Sequence, residues 1–212
     1  MRTIAKGPEP RSLAKYRERP DSNYEDFPGK DKLREALNRE QRGLCCFCMG
    51  RISPTIKGMK IAHWRSQTGH PAEQLVYGNL IGACKGGEGQ RQDAHHCDTR
   101  QRNRDLSRNP ANPAHRVSDL VRYLGDGTIA SDDADFQADL NVILGLNLPW
   151  LRNNRKAVLA AFQQAMGRRG VTRTQLESWE LEWSGRGTAG DLQPYCQVVV
   201  YWLRKRLNRM VS

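Results

Sequence analysis

Apolar positions are sparse over the first half of the chain and periodic over the second. Residues 1–29 carry Pro8, Pro10, Pro20 and Pro28 with Gly7 and Gly29 and sustain no apolar period, which predicts an extended arm. Lys30–Gln41 then sets Leu33, Ala36 and Leu37 on one face and ends at Gly43, a residue suited to the left-handed helix stop. This reads as a short amphipathic helix that delivers the chain to Cys45.

Residues 44–108 are dense in Cys, His, Gly and Arg and poor in long apolar periods. Met59–Trp64 and Asn79–Ala83 have the pattern of short strands, and Asp98–Leu106 that of a basic helix stopped by Asn109-Pro110-Ala111-Asn112-Pro113. A segment with so little to bury calls for something besides hydrophobic packing, and a metal would serve. Residues 116–212 are mostly helical in pattern, with a turn at Gly125-Asp126-Gly127. Leu151, Val158, Leu159, Phe162 and Met166 follow Pro149 at helical spacing, and Gly167 and Gly170 bracket the stop. Thr172 with Gln175, and Thr174 with Glu177, are candidate capping boxes for a helix carrying Leu176, Trp179 and Trp183. Asp191 can cap a last helix with Pro194 in its first turn; Val198-Val199-Val200-Tyr201-Trp202 also suits a strand, but helix is the preferred reading.

Charge narrows the class. Lys and Arg number 34 against 23 Asp and Glu, and this net +11 points to phosphate, because cations laid on a polyanion release its condensed counterions. The uncharged run Cys196–Leu203 is far short of the roughly 20 apolar residues that cross a bilayer. The basic Met1–Lys6 is not followed by a secretory apolar stretch, so a cytoplasmic setting is expected.

Four of the six cysteines sort by spacing. Cys45 and Cys48 form a Cys-x-x-Cys knuckle, and Cys84 and Cys97 bracket a loop rich in glycine. Together they make two halves of a tetrahedral zinc site, the favoured reading for a reducing compartment. The alternative is a redox pair plus two core thiols, but the strand–helix setting of redox Cys-x-x-Cys is missing. His95 or His96 can replace Cys97 as fourth ligand, and Cys46 and Cys196 read as buried thiols.

Between the two halves lie His63, in Ile61-Ala62-His63-Trp64-Arg65, and Asn79, which opens Asn79-Leu80-Ile81-Gly82-Ala83-Cys84; Cys97-Asp98 then opens the basic helix. The order of these motifs resembles the HNH, or ββα-metal, endonucleases. The resemblance extends through Met1–Gly7, Gln41–Cys48, Lys60–Trp64, Tyr77–Leu80, His96-Cys97-Asp98, and Leu146-Asn147-Leu148 with Arg155-Lys156. Over that span the chain is similar to the PtuB-like effectors of Septu and retron-associated bacterial antiphage systems.

That resemblance implies an α+β, mainly helical chain with a small zinc-stabilised ββα-metal module. The expected divisions are an arm and helix over 1–43, the nuclease module over 44–115, and a helical region over 116–212 that docks a partner. His63 is then the general base, Asn79 orients it through its side-chain carbonyl, and Asp98, with His63, binds a catalytic magnesium or manganese ion. Cys45, Cys48, Cys84 and Cys97 hold structural zinc, with His96 as the alternative ligand. The residue before the base, where many HNH sites bear an acid or His, is here Ala62, so the ion leans on Asp98, water and phosphate. Arg65, Arg100, Arg102 and Arg104 are the implied nucleic-acid contacts. The implied partners are an ABC-type, PtuA-like ATPase, the nucleic-acid substrate, and a retron reverse transcriptase with its RNA–DNA product. The opposing reading is a zinc-stabilised binding or adaptor module without catalysis.

Overall fold

A computed structural model describes residues 1–167 and 170–210. Its order is helix α1 (Arg11–Arg17), α2 (Lys30–Gln41), strand β1 (Lys60–His63), β2 (Leu80–Ala83), α3 (Cys97–Gln101), α4 (Val117–Leu120), β3 (Val121–Tyr123), β4 (Ile129–Ser131), α5 (Ala134–Ala138), a π-helical turn Asp139–Ile143, then α6 (Pro149–Met166), α7 (Arg173–Ser184) and α8 (Cys196–Arg209). The fold is α+β, with two small antiparallel sheets. No helix among the described residues is long and apolar enough to cross a membrane.

The first sheet pairs Lys60 with Ala83, Ile61 with Gly82, Ala62 with Ile81 and His63 with Leu80, and α3 follows it. Buried Gln41, the last residue of α2, ties this hairpin to the rest. Its Nε2 donates to the carbonyls of Leu44 (2.8 Å) and Gly82 (2.7 Å), and its Oε1 accepts from Gly82 N (2.6 Å). A helix end, the cysteine knuckle and a strand are thereby joined by one amide. The helix stop is left-handed as expected, at Arg42 (φ 54°) and Gly43 (φ 73°).

Three expectations change. The arm is not simply extended: it forms α1, and Met1, Ile4, Leu13, Tyr16 and Phe27 lie buried in the same core as Phe47, Leu80, Ile81 and Leu140. Apolar residues spaced without a period can still fill a core when the partner surface, not the local helix, sets their direction; Ile4 N is held by Pro110 O at 2.7 Å. The basic helix expected over Asp98–Leu106 ends at Gln101, because Arg102 takes φ 54° and the Gln101 side chain crosses to neighbouring carbonyls. The turn at Gly125–Gly127 joins two strands rather than helices. Asn147 bonds both the N–H and the carbonyl of Ile129 at 2.9 Å, giving the β4 edge a side-chain partner.

The later helices follow their pattern closely. Pro149 opens α6, Gly167 ends it, and Thr172 with Gln175 closes the capping box of α7. Phe162 lies 5.4–6.0 Å from the ring centroids of Trp183, Trp179 and Trp202, so the three helices share an aromatic core. The valine run is helical, as preferred. However, α8 starts at Cys196 rather than near Asp191, whose carboxylate pairs with Arg51 at 3.0 Å.

Candidate metal centre and hydrolytic site

The sulfur atoms of Cys45, Cys48, Cys84 and Cys97 all lie within 4.8 Å of one another. Cys45 to Cys97 is 3.9 Å and Cys48 to Cys84 is 3.7 Å. A tetrahedral ion with metal–sulfur bonds of about 2.3 Å sets its sulfurs about 3.8 Å apart, so the cluster has the dimensions of a structural zinc site. The knuckle is preformed by its backbone: Cys45 N bonds Gly50 O (2.8 Å), Cys46 N reaches Gly82 O (3.0 Å), and Gly50 N points at Cys48 Sγ (3.4 Å). On the other side Gly86, at φ 58°, approaches His96 so closely that a Cβ would lie 2.2 Å from its carbonyl; this closes the loop that returns Cys97 to the cluster. Burial would push the Cys45 thiol up, but hydrogen bonds from the neighbouring thiols hold it well below its usual range, while burial pushes Cys97 up. A bound metal would let all four ionise together.

His96 stays outside this set. Its Nδ1 faces Ala94 O at 3.2 Å and its Nε2 lies 3.6 Å from Cys84 Sγ, so it lines the cluster while Cys97 completes it.

His63 sits at the end of β1, next to the long loop that returns to β2. Its Nε2 is 3.0 Å from Gln74 O. A carbonyl only accepts, so Nε2 carries the proton and Nδ1 keeps its lone pair, with no hydrogen-bond partner among the described residues. Burial lowers the imidazole pKa, outweighing the Gln74 bond and the charge of Glu25, which both raise it. Burial thus favours the neutral ring, with Nδ1 as its free nitrogen. Tyr24 packs edge-on against it, 4.6 Å between centroids.

Asn79 makes no hydrogen bond to the imidazole. Its Oδ1 accepts from Arg65 N (2.8 Å), and its Nδ2 donates to Arg65 O (3.2 Å) and Glu73 O (3.1 Å). The expected orientation of His63 by the Asn79 carbonyl is thus replaced by a clamp on the loop just beyond His63, while Gln74 holds the ring. Gln101, unnoticed in the sequence, completes the frame from α3. Its Nε2 donates to His63 O (3.0 Å), Trp64 O (3.3 Å) and Arg104 O (3.1 Å). A buried glutamine after a run of charged residues gave no periodic signal.

Asp98 is three residues before Gln101, on the same side of α3. Lys60 Nζ lies 3.7 Å from its carboxylate and also contacts Thr99 Oγ1 and Glu88 Oε1, both at 2.9 Å. Burial raises the Asp98 carboxyl despite this cation. Ala62 is buried and shares a strand face with Lys60, and β1 (Lys-Ile-Ala-His) contains no carboxylate to join Asp98. Among the described residues the four cysteines are the one cluster of three or more His, Cys, Asp or Glu able to hold a metal. A catalytic ion would have Asp98 as its carboxylate and would fit only as magnesium often does, completed by phosphate and water.

The four arginines divide. Arg65 is ion-paired with Glu73 (2.6 Å) and lies over Trp64. Arg100 and Arg104 bond carbonyls of the π-helical turn, Val142 O (3.1 Å) and Ile143 O (3.2 Å), and make no ion pair among the described residues. Arg102 makes no ion pair among the described residues. Arg100, Arg102 and Arg104 line a groove of about 1060 Å³ with Arg91 and His95. Comparison with protein-family models and with curated proteins found no match to this chain.

Proposed function

We propose that the protein is a metal-dependent HNH endonuclease that hydrolyses phosphodiester bonds of DNA or of RNA such as tRNA. In this reading it is the toxic effector of a bacterial antiphage system, held beside an ABC-type ATPase. The observation that carries the chemistry is at His63: its Nε2–H is spent on Gln74 O, leaving Nδ1 to take a proton from water. The ββα order of β1, β2 and α3 supports the same reading, and the arginine-lined groove offers cations for phosphate. Asp98 would hold the divalent ion, which when bound supplies charge stabilisation at the phosphate. The partner and the defence role rest on the resemblance of the motifs alone.

A second reading, a zinc-stabilised nucleic-acid adaptor without catalysis, draws on Ala62 and on the Lys60–Asp98 contact, which reduce the demand for and the affinity of a second ion. Cleavage of labelled DNA and RNA by wild type and His63→Ala, in magnesium or manganese, separates them. Lost cutting with retained binding is expected. Equal cutting by both removes His63 as the base.

A further inference from the structure

The arm carries one more polar group into the site. The Tyr24 ring stands at 83° to the His63 ring with centroids 4.6 Å apart. Gln74 fixes both: its carbonyl accepts from His63 Nε2 (3.0 Å), and its Oε1 accepts from Tyr24 N (3.0 Å). Lys30 Nζ lies 4.9 Å from the Tyr24 ring centroid and donates to Glu25 O at 2.7 Å, while buried Phe27 anchors the segment three residues on. Tyr24 is thus held from several directions, yet its hydroxyl has no hydrogen-bond partner among the described residues. That hydroxyl is not among the buried atoms left without a partner, so it is open to solvent and to a ligand.

Other polar side chains of the ββα unit are already engaged. Asn79 is spent on the loop backbone, Arg65 on Glu73, and Lys60 on Glu88, Thr99 and Asp98. Burial, helped by Glu25 and Asp98 and opposed by Arg34, raises the phenol pKa, so the group stays protonated and serves as a donor rather than a base or nucleophile.

We propose that Tyr24 is a further catalytic residue, whose O–H donates to a non-bridging oxygen of the phosphodiester seated beside His63. Such a donor would meet charge that grows as water attacks, and a ring held by Gln74 and Lys30 would need little reorganisation to act. This rests on the reading of His63 as the base. It also gives the N-terminal arm a chemical role, because the arm closes over the strand end and supplies a donor absent from the ββα unit itself.

The test compares Tyr24→Phe, which keeps the ring, with Tyr24→Ala in the full zinc-loaded chain. Single-turnover cleavage and oligonucleotide binding are measured together. Tyr24→Phe is expected to bind as wild type does and to cleave about 10²-fold more slowly, the loss typical of one transition-state donor. Cleavage by Tyr24→Phe at the wild-type rate overturns the proposal. Faster cleavage by Tyr24→Ala also overturns it, by making Tyr24 a cover over His63. A readout independent of turnover is the Tyr24 ring resonance during titration with a non-cleavable phosphorothioate oligonucleotide: a shift is expected, and none contradicts the contact. His63→Ala run alongside keeps the two failures apart, since wild-type cleavage by that variant sinks the base assignment rather than the phenol.

Discussion

The segment from Cys45 to Gln101 and the helices from Pro149 to Arg209 lie in one chain but reach order by different means. The helices bury an aromatic cluster around Phe162 and are capped by sequence-local devices, Pro149 and the Thr172–Gln175 box. The earlier segment has two four-residue strands and a five-residue helix, too little regular structure to stand alone. It is joined by sulfur at Cys45, Cys48, Cys84 and Cys97, and by amides that cross between elements at Gln41, Asn79 and Gln101. Such a frame tolerates irregular polar backbone where packed helices would not. That is why His63, Asn79 and Asp98 can sit on short pieces and loop ends.

The sharpest way to break the comparison is to remove the metal. Chelation, or Cys48→Ser, is expected to unfold residues 44–101, since a structural zinc contributes about 10–16 kcal/mol against a whole-domain stability of about 5–15 kcal/mol. Hydrogen exchange should show protection lost there and retained in α6–α8, and bound zinc should fall to zero. Uniform protection in a zinc-free chain would refute the four-cysteine assignment. Next in size is Phe162→Ala, expected to cost about 3–5 kcal/mol through the cavity left among three tryptophans, seen as a lowered Tm with zinc content unchanged. Smaller is Gln101→Leu, which leaves the His63, Trp64 and Arg104 carbonyls without their donor at about 1–3 kcal/mol. Its mark is faster amide exchange around Trp64 and Arg65 at normal zinc content.

What was legible in the sequence follows the same division. Helices α2, α6 and α7 were readable because their apolar spacing and end residues are local, and the strands β1 and β2 were placed within two residues. The four cysteines were readable because a knuckle and a second pair constrain one another through a single ion. The arm was misjudged because Met1, Ile4 and Phe27 are buried by distant surfaces that leave no period. The β3–β4 hairpin was missed because three-residue strands are too short to show alternation. Gln74, which holds His63, acts through its main-chain carbonyl, so no residue type at that position signals the role. Tyr24 and Gln101 are brought to His63 by tertiary folding alone.

The account turns on the protonation state of one ring. Because burial lowers the His63 pKa, its contribution to stability is present above the ordinary value of 6.5 and is lost as pH falls through the folded value, where the unfolded chain binds the proton more readily. Nitrogen NMR of the imidazole across this range tests the claim directly. The expected result is a neutral ring protonated at Nε2 at pH 7, with Nδ1 taking up a proton only below 6.5. A ring protonated at Nδ1, or already cationic at pH 7, would contradict it.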